Sequence, residues 1–228
     1  MRNPARSLVF LKGLLLAQAL AQTVTVYSGF AEVREPVNLP SSSWTLLAPE
    51  GLLESLVPGS LALFGVEEEA RRWAPGGVVF FYKGQGRAEL RYLTQAVAGS
   101  VFYVLEDSTL SAWARVSSRL ELSPKALFLV VGEVPILPSN QPKTLLERSV
   151  LPSEEGFGVR RYTLPPFPIR PGTTELRFAK KEVELERVLS YEGGFSTREV
   201  LPLVRGYRFP APFPLASGRW RCGRRGSS

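Results

Sequence analysis

From Thr23 onward the chain is cut by glycines, prolines and Asp/Ser clusters into about a dozen short runs rich in β-branched and aromatic residues. Each run is long enough for a strand and too short for an ordinary helix. That spacing predicts an all-β fold of the sandwich or barrel kind. The 20 glycines and 19 prolines are the punctuation that enforces it.

Several runs pair on inspection. Thr23–Tyr27 and Phe30–Arg34 flank Ser28-Gly29 and read as a hairpin. Val78–Lys83 and Arg87–Leu93 flank Gly84-Gln85-Gly86, which also reads as a hairpin turn. A phosphate-binding loop is not expected there, because the third glycine, the following helix and the Lys-Ser/Thr pair are missing. Val101–Leu105 and Leu110–Val116 form a third hairpin across Glu106-Asp107-Ser108-Thr109. In its second arm Leu110, Ala112, Ala114 and Val116 share one face, and Ser111, Trp113 and Arg115 share the other. Trp44–Leu47 and Ser60–Phe64 are further strand candidates. The apolar run Ala126–Val131 predicts a central strand covered on both faces.

Segments 160–164, 175–178, 183–191 and 199–207 continue the β pattern. Residues 135–158 hold four prolines and two glycines without a period and predict a long loop insertion. One segment departs. Glu67 with Arg71, and Glu68 with Arg72, have i,i+4 spacing in the favourable order. They predict one or two helical turns over 67–73, stopped at Pro75-Gly76-Gly77.

The N-terminus carries Arg2, Arg6 and Lys12, the apolar runs Leu8–Leu11 and Gly13–Leu16, and the small-x-small site Ala19-Leu20-Ala21. This pattern predicts a secretory signal peptide over 1–21, cleaved before Gln22. The apolar stretch is short for a membrane span, and no cysteine follows it to carry a lipid. The chain is therefore expected in the periplasm, on the cell surface or in the medium. The membrane is expected as a partner only through an uncleaved signal segment.

The formal charge of +7 suggests nucleic acid until it is divided along the chain. Three cations lie in the signal segment and four in the Arg-rich tail 219–228, leaving 21 basic and 21 acidic residues over 22–218. No global basic field remains, so nucleic acid is not an expected partner. The tail is expected to be frayed and solvated. Sparse Asn, Gln, Cys and Met with abundant Arg, Pro and Leu suit a thermophile and a GC-rich genome equally.

There is no histidine and a single cysteine, Cys222. Ser-His-Asp and Cys-His catalysis, imidazole metal ligation, an internal disulfide and a structural zinc site are thereby excluded. No cofactor is expected. Only Lys is left as a base for a serine nucleophile. Carboxylates remain, in the runs Glu67-Glu68-Glu69, Glu106-Asp107 and Glu154-Glu155. Neighbours on a strand point to opposite faces, so such runs are expected to be solvated rather than catalytic. Of Trp44, Trp73, Trp113 and Trp220, most are expected to pack inside. Trp113 is singled out because alternation sets it, with Arg115, opposite the apolar face of its strand. These two are the candidate ligand-binding residues.

Thr23-Val24-Thr25-Val26-Tyr27 followed by Gly29–Glu35 resembles the opening of the secreted bacterial domain of unknown function 4139. That domain also forms the C-terminal part of mucoidy-inhibitor-A-like proteins. Pro58–Leu63, Leu90–Thr94, Tyr103–Leu105, Leu110–Ala114, Leu129–Val134 and Pro214–Arg219 follow in the family's order and approximate spacing. The chain lacks the tryptophan usual near Gly99-Ser100. It also lacks the strands that family members carry after the proline-small-glycine turn, which reads as a shortened C-terminus. The resemblance implies an envelope location and a β-sandwich, and implies no activity.

The expected architecture is thus all-β: two packed β-sandwich-like modules, 22–95 and 96–218, with one short helix. The expected role is structural or protein-interactive at the cell envelope, without catalysis, with other envelope proteins as partners by β-edge pairing. The alternatives are a carbohydrate-binding module and a carboxylate-dependent hydrolase. Oligomeric state is left open.

Overall fold

The computed structural model describes residues 21–132, 159–190, 204–216 and 218–223. Most of the signal segment and the predicted 135–158 insertion lie outside them. Among the described residues no helix is long and apolar enough to cross a membrane.

Strands dominate, as the turn spacing requires. The hairpin of β1 (Thr23–Val26) and β2 (Ala31–Leu39) forms as expected. It is closed by Tyr27 N–H donating to Phe30 O at 2.8 Å and by the stacked Tyr27 and Phe30 rings. β3 (Ser43–Leu47) follows, then the one-turn helix α1 (Leu52–Ser55) and the short β4 (Ala62–Phe64). Next come β5 (Glu67–Ala74), β6 (Gly77–Lys83) and β7 (Gly86–Thr94). β8 (Val97–Glu106) and β9 (Thr109–Ser118) form the expected long hairpin. The described chain is completed by β10 (Ala126–Val131), β11 (Arg160–Leu164), β12 (Gly172–Glu182), β13 (Glu186–Ser190), β14 (Val204–Arg208) and β15 (Arg219–Gly223).

These strands make a six-stranded sheet β11-β10-β1-β2-β7-β4, a four-stranded sheet β12-β9-β8-β15, a three-stranded sheet β3-β6-β5 and the β13-β14 pair. The all-β, sandwich-like class holds. β10 is central as expected, parallel to β1 and antiparallel to β11. Its Leu127 and Leu129 enter the main core. On its other face Val130 joins a smaller cluster with Tyr27, Phe30 and Leu93, and the Arg161 guanidinium lies 3.8 Å over Phe128.

Four expectations are corrected. Residues 67–74 are not helical but form β5, paired along β6. The Glu/Arg spacing is used differently: a bulge between Glu68 and Ala70 lets Arg71 reach Glu68 at 2.6 Å. Tertiary pairing outweighs a few tenths of a kcal/mol from helical ion pairs. Gly84-Gln85-Gly86 does not close a hairpin. β6 pairs with β3 and β5, whereas β7 pairs with β2 and β4, so the loop is a corner between two sheets. Gly84 (φ 111°) and Gly86 (φ 100°) supply the backbone that this corner needs.

The boundary at residue 95 does not separate sheets, since β10 and β11 join β1, β2 and β7 in one sheet. Residues 219–223 are not a frayed end. They form β15, parallel to β8, with Trp220 packed 4.8 Å from the Tyr103 ring.

One apolar cluster runs through the six-, four- and three-stranded sheets, with Val26 and Leu129, Val101 and Ala114, and Phe80 and Tyr82 among its members. Full burial of a large apolar side chain such as Leu129 is worth about 1.5–3 kcal/mol. The six- and four-stranded sheets approach each other closely at Gly99, whose N–H donates to Tyr27 O at 2.8 Å. A Cβ there would lie 2.7 Å from Val26 Cγ1 and 2.8 Å from Leu129 Cδ1. Glycine is what lets β8 lie against β1 and β10.

Candidate functional site

Strand alternation builds the site. In β9 the side chains of Leu110, Ala112, Ala114 and Val116 are buried in the core. Trp113 and Arg115 project from the opposite face, half-buried. The hairpin register sets Phe102 of β8 beside Trp113 and Ser100 beside Arg115. β12 adds Arg177 beside Trp113 and Glu175 beside Arg115, and β15 adds Arg219 beside Phe102 and Arg221 beside Val104. Residues on one side of paired strands share a face. This outer face therefore gathers two aromatic rings and four arginines from four strands.

The rings of Phe102 and Trp113 stack at 6.0 Å between centroids and 12° between planes. Guanidinium groups sit over them: Arg115 at 5.3 Å and Arg221 at 5.1 Å from the Phe102 centroid, and Arg177 at 5.7 Å from Trp113. Phe102 is thereby buried although it lies on the outer face. A cation–π contact engages a guanidinium through its charge and leaves its N–H donors available to other partners.

Arg115 spends Nε and Nη2 on Glu175 Oε1, at 2.8 and 2.6 Å. Among the described residues no carboxylate lies within ion-pair distance of Arg177, Arg219 or Arg221. Trp113 Nε1 is buried and has no hydrogen-bond partner among them either.

Two adjoining hollows open on this face. One, of about 390 Å³, is lined by Ser28, Ser100, Phe102, Arg115, Arg219 and Arg221, with neighbouring glycines and valines. The other, of about 310 Å³, is lined by Phe102, Glu106, Trp113, Glu175, Arg221 and Cys222, with Val104. Phe102 and Arg221 form the wall between them.

The two residues singled out from sequence, Trp113 and Arg115, are both here and 5.3 Å or so of guanidinium-to-ring contact ties Arg115 to Trp113's stacking partner. Phe102 was missed, although the two-residue turn Asp107-Ser108 fixes the register that sets it opposite Trp113. Arg177, Arg219 and Arg221 arrive from distant strands and had no local signal.

The other candidates go elsewhere. Trp44 packs inward against Phe80 at 5.9 Å, Trp220 lies against Tyr103 and Phe209, and Trp73 is exposed. Glu68 is held by Arg71 and Glu69 by Lys83. Glu154-Glu155 lies outside the described residues. Among the described residues no group of three or more acidic or cysteine side chains is placed to hold a metal ion.

A second charged cluster lies on the six-stranded sheet. Burial pushes the Glu32 carboxyl above its ordinary range, and the Arg34 guanidinium beside it pulls the other way. Burial, with the nearby Glu32 charge, pushes Tyr27 up to about 12. Here the charges are matched, Glu32 with Arg34 and Glu89 with Arg91. That is how structural ion pairs behave.

Compared with protein-family models, with curated proteins and with solved structures, the chain matches none. The reading of the arginine–aromatic face rests on its geometry.

Proposed function

We propose that this chain is an exported protein of the bacterial cell envelope with a binding rather than a catalytic role, and that it binds through the outer face of the four-stranded sheet. One observation carries the reading: the Phe102–Trp113 stack carries the guanidinium groups of Arg177 and Arg221 at 5.7 and 5.1 Å from its rings, neither of them within ion-pair distance of a carboxylate among the described residues. Buried or half-buried aromatics carrying guanidinium donors are the ordinary make-up of a recognition surface. Export is supported by the Arg2–Ala21 pattern. The envelope location is supported by the resemblance to the domain of unknown function 4139. Among the described residues β12, eleven residues long, forms an edge of the same sheet and suits strand addition by a protein partner.

A carboxylate-dependent hydrolase is the competing reading, because Glu106 and Glu175 line one hollow. Against it, Glu175 Oε1 accepts two hydrogen bonds from Arg115, so this carboxylate is tied into a structural pair rather than free to address a substrate.

The test uses the mature chain and washed envelope fractions of its own source. Wild type is expected to be retained, and Trp113→Ala and Arg221→Gln to lose most of that retention. Wild-type protein that passes through unretained, or variants retained equally, would overturn the reading. Release of reducing sugar from the fraction would move the assignment to the hydrolase.

A further inference from the structure

Resting on that reading, we propose that the ligand is a polyanion of the envelope, and specifically an acidic polysaccharide whose carboxylates are taken by Arg177, Arg219 and Arg221.

The number and spacing of the charges point to a polymer. Arg221 and Arg219 stand on β15, Arg115 on β9 and Arg177 on β12. In the order β12-β9-β8-β15 these strands are separated by one to three strand spacings, about 5–15 Å. A single small anion would sit at one or two of these groups and leave the rest bare. A chain with repeated acidic groups engages Arg219 and Arg221 at the hollows and Arg177 beyond them on β12.

The chemistry of Arg177 and Arg221, the two ring-held guanidinium groups, fits carboxylates, and Arg219 stands beside Phe102 on the same face. A guanidinium offers a rigid pair of parallel N–H donors, the geometry that a planar carboxylate accepts with two bonds. Ser28 and Ser100 line the first hollow and offer hydroxyls to sugar hydroxyls beside the bound acid.

Charge balance separates this face from general basicity. Residues 22–218 are neutral in sum, and the net +4 of residues 22–228 comes from the segment 219–228 that supplies Arg219 and Arg221, so attraction is concentrated at this face. An extended field of the kind that gathers nucleic acid is missing from residues 22–218.

The probes are polygalacturonate as the acidic polymer, dextran as the neutral one, and a single-stranded oligonucleotide. Binding is measured at moderate salt on the mature chain, alongside retention on the envelope fraction. The variants are the triple Arg177→Gln, Arg219→Gln, Arg221→Gln and a charge-matched triple elsewhere, Arg72→Gln, Arg87→Gln, Lys125→Gln, at three exposed positions. Both are checked for folding by their unfolding transitions.

Polygalacturonate is expected to bind, with a loss of roughly tenfold or more in the first triple and little change in the second. That loss corresponds to about one strong charge-assisted contact or more. Equal loss in both triples would overturn the inference, since net charge alone would then explain binding. So would dextran binding as tightly as polygalacturonate, or the oligonucleotide outcompeting it. Retention on the envelope fraction with no affinity for polygalacturonate would sink the acidic-polysaccharide assignment and leave the binding face standing. Failure on both would sink both.

Discussion

Arg34 donates two hydrogen bonds to the buried carboxylate of Glu32, from Nε to Oε1 at 2.9 Å and from Nη2 to Oε2 at 3.1 Å, with both residues on one face of β2. Glu32 is 1% exposed, so its charge is taken out of water for a single cationic partner.

Desolvation outweighs that partner, and Glu32 holds its proton above its ordinary value of 4.5. Between that value and the folded one, the folded chain binds more protons than the unfolded chain. Stability contributed by Glu32 therefore falls as pH rises through this window. Glu32→Gln removes the titration and deprives Arg34 of its charged acceptor. The variant is expected to be less stable than wild type, with a gap that narrows as pH rises above the ordinary carboxylate value of 4.5. Urea unfolding across that rise measures it, and a gap that widens with pH would reverse the sign argued here.

Gly99 separates β8 from Val26 and Leu129 by less than a methyl group. Gly99→Val is expected to cost about 1–3 kcal/mol through overpacking. Val26→Ala in the same chain should recover part of it, because it vacates the space that the new side chain enters. Strict additivity of the two unfolding free energies would mean that the sheets do not meet as described.

Tyr103 ties the approach to β15. Its hydroxyl accepts from Ala216 N–H at 2.9 Å and lies 3.3 Å from the Tyr162 hydroxyl, which donates to Pro214 O at 3.0 Å. Tyr103→Phe leaves Ala216 N–H without its acceptor, at about 1–3 kcal/mol. The effect should concentrate locally, as faster hydrogen exchange at Ala216 and along β15. Unchanged exchange there would show that the hydroxyl does not hold this segment.

The export reading makes a direct mass prediction. Protein isolated from a fractionated culture of its source should lack Met1–Ala21 and occur in the envelope or medium. Retention of Met1 in cytoplasmic protein would remove the export argument and the envelope role with it.

Much of this fold was legible because strands announce themselves locally. The β1–β2 and β8–β9 hairpins, the central β10 and the two faces of β9 follow from alternation and turn chemistry within a few residues of each other. The same alternation marked Trp113 and Arg115. Local signals misled where a neighbour in space opposed them. Glu67–Ala74 has helical charge spacing but lies on β6, and Gly84–Gly86 has hairpin chemistry but joins strands of different sheets.

The sequence by itself determined that the chain is β-rich, that histidine chemistry is closed to it, and which face of β9 carries polar and aromatic residues. These follow from residue type and from a period of two, which need no partner. Only the tertiary structure decided that β1 runs parallel to β10, that β15 runs parallel to β8, and that Arg177, Arg219 and Arg221 converge on Phe102 and Trp113. Parallel partners cannot be joined by a tight turn, so their pairing leaves no mark in neighbouring residues. It is settled by which apolar faces bury each other, and the arginine–aromatic face is the other side of that choice.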